Sequence, residues 1–192
     1  MLMKEIKKVL VANRGVPAVR IMHTCRDLRI KTAAVYSTPD RLSSHVAMAN
    51  KAIHIGDAPP RESYLNGEKI INAALAVSAD AIHPGWGFLA ENHKFAQDVI
   101  DAGLTWVGPP PKVIEAMGDK IESKKIATSI GIPVVPGIEN VSTVEEIVDW
   151  MNKDKIDFPI MLKASAGGGG KGMVKVEETA GIAQALEQVQ SE

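Results

Sequence analysis

Phe158 to Met173, FPIMLKASAGGGGKGM, is the stretch from which the fold is read. Ile160, Met161 and Leu162 form an apolar run that ends in Lys163, and Met173, Val174 and Val176 begin a second run after the glycines. This pattern predicts strand, glycine loop, strand. Gly167, Gly168, Gly169, Gly170 and Gly172 can take positive φ, and without Cβ atoms several backbone N–H groups can converge on one anion. Lys163 and Lys171 add positive charge, so the chemistry suits a polyphosphate. A P-loop would need Gly at position 165 and Ser or Thr after Lys171, where the chain has Ser165 and Gly172. Gly167, Gly169 and Gly172 satisfy the dinucleotide spacing, but a strand rather than a helix follows them. The remaining alternative is a flexible glycine turn in a hairpin.

Around this loop, Ser142 and Glu145 fit a capping box ahead of a helix bearing Val144, Ile147, Val148 and Met151. Ile182, Ala185, Leu186 and Val189 recur at helical spacing after the hairpin. Two strands and two helices are few for an independent domain, so a second domain cut short is expected.

Towards the amino terminus, strand and helix patterns alternate. Val9 to Val11 reads as a buried strand, followed by Asn13, Arg14 and Gly15 and a helix with Pro17 near its start. Ala18, Ile21, Met22, Cys25 and Leu28 lie at helical spacing, which turns Cys25 to the core. Strands are predicted at Thr32–Tyr36, Lys51–Ile55, Ala81–His83 and Thr105–Val107, and helices at Gly67–Ser78 and around Phe95 to Ala102. The predicted fold class is α/β, a Rossmann-like, parallel, doubly wound sheet over residues 1–118. A linker helix and hinge over 119–137, with Gly131, Pro133 and Pro136-Gly137, leads to a partial α+β unit over 138–192. The turn His83-Pro84-Gly85-Trp86-Gly87-Phe88 follows a strand, at the sheet end where open α/β folds place ligands. Trp86 and Phe88 could equally cover the edge of the core.

With 22 basic and 23 acidic residues, the net charge is -1, which points away from a nucleic-acid surface. Cys25 is the single cysteine, so no internal disulfide framework exists. Neither a signal h-region nor a membrane span is expected, and a cytoplasmic location follows as the expectation.

Taken together, VLVANRG (9–15), SYLN (63–66), AIHPGWGFLAEN (81–92), VGP (107–109), MGDK (117–120) and KASAGGGGKGM (163–173) resemble the amino-terminal part of biotin carboxylase. The resemblance runs the length of the chain. It implies a pre-ATP-grasp domain followed by a linker and most of the lid of an ATP-grasp fold. Family members use ATP to activate bicarbonate and then carboxylate biotin held on a carrier protein. The resemblance further implies Lys120 and Lys163 as ATP-binding lysines, and Gly169 with Gly170 as the segment that closes over the phosphates. Gly167, Gly168, Lys171 and Gly172 complete the loop, and Trp86 and Gly87 become a wall near biotin. Mg²⁺ accompanies ATP in the family, and the partners implied are the carrier protein, a carboxyltransferase component and a second copy of the chain.

This sequence departs from the family pattern in several places. Val16 and Pro17 stand where relatives usually have Glu and an aliphatic residue, Trp86 where they have Tyr, and Lys171 where they often have Arg. His23 lies on the helix that makes subunit contacts in dimeric bacterial members. In relatives the Mg²⁺ ligands, the general base and the bicarbonate-binding arginines come from a large carboxyl-terminal region, and no stretch here matches them. Glu145 with Glu146 and Glu177 with Glu178 read as helix-start charges instead. The catalytic residues are therefore expected beyond residue 192, and the chain alone is expected not to turn over. A non-catalytic assembly module and another ATP-grasp ligase, such as carbamoyl phosphate synthetase, are the competing readings.

Overall fold

Residues 5–164 and 172–191 are described by the computed structural model, and they fall into two units that divide between Ile126 and Ala127. The first unit runs β1 (Lys8–Val11), α1 (Gly15–Asp27), β2 (Lys31–Ser37), α2 (Ser44–Met48), β3 (Lys51–Gly56), α3 (Gly67–Ala76), β4 (Ala81–His83), α4 (His93–Asp101), β5 (Thr105–Trp106) and α5 (Pro111–Gly118). Helix α6 (Lys120–Ser129) contains the division.

All five strands are parallel, in the order β3-β2-β1-β4-β5. Leu10 stands opposite both Ala33 and Ile82, so the centre of the sheet is apolar on both sides. Successive residues of a strand face opposite ways. Leu10, Ala33, Val35 and Ile82 accordingly pack on one face with Ile70 and Ala74 of α3 and Phe95 and Val99 of α4. Val9, Val11, Ala34 and Ala81 pack on the other with Ala18, Met22 and Cys25 of α1. Two covered faces are what a run such as Val-Leu-Val demands, and a parallel sheet is how the chain supplies them. Asn66 and Asn92 cap α3 and α4, their side-chain oxygens accepting from Lys69 N and Phe95 N.

Two local features differ from the sequence reading. The prolines after β5 do not end the first unit's regular structure. Pro111 opens α5 at a position whose N–H has no helical partner in any case, so the missing donor costs nothing. The short helix α2 also lies in what reads as a polar connection.

The second unit comprises α7 (Val144–Asp154), β6 (Ile160–Lys163), β7 (Met173–Val176) and α8 (Ile182–Gln190), and includes the end of α6. Strands β6 and β7 form an antiparallel hairpin. Ile160, Leu162 and Val176 face a core made with Ile147, Met151, Ile182, Ala185 and Leu186 from α7 and α8. The capping box of α7 sits one residue later than its predicted position. Thr143 Oγ1 accepts from Glu146 N at 3.2 Å, while the Glu146 carboxylate accepts from Ser142 N at 2.7 Å and Thr143 N at 3.1 Å. Thr143 has the extended backbone an N-cap needs (φ -130°, ψ 158°), and that conformation fixes the register.

Candidate functional site

The strand order reverses direction at β1, because the chain moves outward to β2 and β3 and then returns to β4 on the other side. The crevice beyond the carboxyl ends of β1 and β4 is therefore the topological switch point, where open α/β sheets receive ligands. Asn13, just past β1, spans it. Asn13 is 2% exposed, and its Nδ2 donates to Pro84 O at 2.7 Å and to Trp86 O at 2.9 Å, while its Oδ1 accepts from Arg14 N at 2.8 Å. Every polar atom of the carboxamide is thus used.

The turn so held is bent hard. Gly85 and Gly87 have φ of 69° and 71°, Phe88 has 44°, and Gly85 N donates to His83 Nδ1 at 3.0 Å. Burial pushes the His83 imidazole below its ordinary pKa, in keeping with the neutral, accepting Nδ1 this bond requires. Phe88 turns inward onto Tyr64, with ring centroids 5.0 Å apart, while Trp86 turns outward and is 64% exposed. Trp86 therefore does not cover the core.

Behind the turn lies a polar cluster on a third and fourth connection. Asp40 Oδ2 accepts from Tyr64 Oη at 2.7 Å, Ser37 Oγ at 2.9 Å and Arg14 Nη1 at 3.1 Å. The Arg14 guanidinium also lies 5.6 Å from the Tyr64 ring centre and 5.9 Å from that of Phe88. Burial alone would raise the Asp40 pKa, but the hydrogen bonds from Tyr64, Ser37 and Arg14 and the charge of Arg14 outweigh it and hold the carboxyl below its usual range. Tyr64 moves the other way. Burial first, and then donation to Asp40, push its hydroxyl up to about 12, so it stays a donor.

The second group of site residues lies on the hairpin of the other unit. In the β6–β7 ladder Met161 pairs with Lys175 and Lys163 with Met173. All four lie on the face turned away from α7 and α8 and are exposed, with Met161 at 47% and Met173 at 45%. The face alternates thioether and ammonium. Lys163 borders the glycine loop, whose base is closed by Ala164 N donating to Gly172 O at 2.8 Å, with Gly172 at φ 67°.

Of the residues singled out by sequence, Trp86 and Gly87 share the turn at the switch point, and Lys163 and Gly172 bracket the loop. Lys120 begins α6. Gly167, Gly168, Gly169, Gly170 and Lys171 lie outside the described residues. Sequence reading missed the Asn13 bridge, the Asp40 cluster and the pairing of Met161 and Met173 with lysines. The two-residue period of a strand, which puts Met161 on one face with Lys163 and Met173 on one face with Lys175, carried a signal for the last of these; long-range hydrogen bonds carried none. Among the described residues no three His, Cys, Asp or Glu side chains converge as metal ligands.

Residues 5–114 match the family described as biotin carboxylase, N-terminal domain. The chain belongs to that family. Residues 119–192 match a second family, described as carbamoyl-phosphate synthase L chain, ATP binding domain. The chain is 49% identical over 168 residues to methylcrotonoyl-CoA carboxylase subunit alpha, mitochondrial, of Oryza sativa, covering 88% of this chain and 23% of that protein. To biotin carboxylase 2 of Bacillus subtilis it is 46% identical over 181 residues, covering 94% of this chain and 40% of that protein. The chain thus spans well under half the length of these relatives. Among solved structures, the biotin carboxylase domain dimer of Hydrogenobacter thermophilus 2-oxoglutarate carboxylase, in complex with MgADP, ADP and bicarbonate, aligns with a TM-score of 0.85 at 43% identity. That alignment covers 98% of this chain and 41% of the other. Campylobacter jejuni biotin carboxylase in its β,γ-ATP complex gives a TM-score of 0.88 at 38% identity, covering 98% and 42%. The parallel five-stranded sheet and small antiparallel hairpin of this chain match biotin carboxylase folds.

Proposed function

We propose that this chain contributes the nucleotide lid and the sheet-end wall to an ATP-dependent biotin carboxylase, which activates bicarbonate and carboxylates biotin on a carrier protein. The observation that carries this reading is the outward hairpin face, with Met161 paired to Lys175 and Met173 paired to Lys163. Thioethers present a polarisable apolar surface to a flat base, and an ammonium at the mouth of a glycine loop binds phosphoryl oxygens as a point charge. Lys163 and Lys120 are the two ATP-binding lysines of this reading. Gly169 and Gly170, with Gly167, Gly168, Lys171 and Gly172, are the phosphate-loop residues of this reading. Trp86 and Gly87 form the wall beside the biotin ring. Mg²⁺ accompanies the ATP of this reading, and no step is assigned to it through the described residues. A carboxyltransferase component would consume the carboxybiotin, and a second copy of the chain is the expected subunit partner. A cytoplasmic location belongs to the same proposal; among the described residues no helix is long and apolar enough to cross a membrane.

Methyl-labelled methionine NMR tests the lid assignment on the 192-residue chain, because it reads binding even where affinity is low. Titration with MgATP is expected to move the Met161 and Met173 methyl signals, and inorganic tripolyphosphate is expected to move them far less. Lys163→Gln should weaken the ATP response. Methyl signals that stay fixed at saturating MgATP would reject the lid reading.

A further inference from the structure

We propose that Asn13 is a positioning residue for the Trp86 turn, fixing from the end of β1 the direction in which Trp86 leaves the end of β4. Three observations converge on it. First, Asn13 is the one side chain shown bonding to carbonyls on both sides of Gly85, with Nδ2 to Pro84 O at 2.7 Å and to Trp86 O at 2.9 Å. A single carboxamide nitrogen therefore spans the bend. Second, the bend is built around that nitrogen. A Cβ on Gly85 would come within 2.8 Å of Asn13 Nδ2, whereas a Cβ on Gly87 would meet nothing within 4 Å. Third, the carboxamide is itself oriented, because its Oδ1 accepts from Arg14 N and so presents the amino group to the turn.

Asn13 is buried but belongs to neither apolar cluster of the sheet. The sheet is closed on both faces by apolar side chains, and Ala12 N already donates to His83 O at 2.9 Å as the last rung between β1 and β4. The Asn13 bonds extend the β1–β4 junction by one step into the crevice. The side chain aimed in this way is Trp86, which is 64% exposed and can swing only with its backbone, which is also tied by Gly85 N donating to His83 Nδ1 at 3.0 Å and Ala90 N donating to Gly87 O at 2.9 Å. Gly85 and Gly87 at positive φ on either side would permit that swing if the carbonyls were released. A wall for a flat ring has to be set before the ring arrives, and Asn13 supplies that setting. The value of the clamp for ring contact rests on the reading of Trp86 as the biotin-side wall; the clamp itself does not.

The chain labelled with fluorotryptophan carries three reporters, Trp86, Trp106 and Trp150. Trp106 lies in the core of the same unit and Trp150 lies in the other unit, so both serve as internal controls for folding. In the unsubstituted chain Trp86 is expected to give one sharp signal. Asn13→Ala should split or broaden it while Trp106 and Trp150 keep their positions. Asn13→Asp is the second variant, chosen because it keeps the acceptor for Arg14 N and turns the donor pair into a carboxylate facing two carbonyl oxygens. At neutral pH a carboxylate facing two carbonyl oxygens repels them, so the Trp86 signal should be split or broadened in this variant as well. A single unshifted Trp86 signal in both variants would overturn the proposal. So would a change in Trp106 as large as that in Trp86, which would make Asn13 a residue of the fold. No ATP or biotin enters the measurement, so the clamp and the proposed function can fail separately.

Discussion

Tyr64 and Asp40 are separated by 24 positions in the chain, yet the Tyr64 hydroxyl sits 2.7 Å from Asp40 Oδ2 and also accepts from Ser37 N at 3.0 Å. Tyr64→Phe removes a donor from a carboxylate and an acceptor from a buried amide in one step. The expected loss is about 1–3 kcal/mol of stability, read as a lower denaturant midpoint without a change of slope. A loss indistinguishable from zero would mean that water replaces the hydroxyl.

The Asp40 carboxyl has a lowered pKa in the folded state, so its contribution is present above the unfolded value and is lost as pH falls through the folded value. Asp40→Asn should therefore reduce stability at neutral pH and narrow its gap from the parent as pH falls below the ordinary carboxylate value of about 3.9 and on through the lower folded one. Denaturation curves across that range check the sign.

His45 acts nearer neutrality. Its ring is 1% exposed, Nε2 lies 3.3 Å from Val35 O, and Nδ1 has no partner among the described residues. Burial lowers its pKa and the charge of Arg14 adds to this, against the opposing effects of the Val35 carbonyl and Asp40. Above about pH 6.5 the imidazole is neutral in folded and unfolded chains alike, and stability does not depend on it. Below that, the unfolded chain takes up the proton first and stability falls until the folded value is reached. His83 shifts in the same direction through burial. His45→Leu should reduce the loss between about pH 6.5 and pH 5 without abolishing it. An unchanged pH slope in His45→Leu would remove His45 from this account.

Gly85 and Gly87 share a left-handed backbone but differ in their surroundings. Gly87→Ala meets only conformational strain, about 1–2 kcal/mol. Gly85→Ala meets that strain and also pushes a methyl to 2.8 Å from Asn13 Nδ2. Gly85→Ala should be the more destabilising of the two, and equal melting temperatures would contradict the close approach.

Thr143→Ala should cost the second unit about 0.5–2 kcal/mol, because Glu146 N loses its acceptor at the start of α7. The readout is the α7 signal in hydrogen exchange, where amides of the first turn should lose protection before those of α8.

The fold was legible where local pattern and burial agree. Val9 to Val11 is apolar throughout because both faces of β1 are covered, whereas the apolar run Ile160 to Leu162 marked β6 as a strand without showing that Met161 is exposed. Three things were not legible, each for its own reason. Helix α5 was not predicted, because Pro111 suits a turn as well as a first helical position. The capping box was misplaced by one residue because Ser142-Thr143 and Glu145-Glu146 offer two registers to the same rule, and only backbone conformation separates them. The Asn13 and Asp40 bonds reach partners up to 73 positions away, and their placement depends on the order β3-β2-β1-β4-β5, which no local window contains.

Arg14, Asp40, Tyr64 and Phe88 come from four different connections at one end of the sheet and touch one another in a closed circuit. In a circuit of this kind the lengths of the four connections are no longer independent. One residue inserted into any of them displaces its member from the other three, so loop length at this end is held as tightly as strand register. Domain grafts and insertion tags should avoid all four connections together.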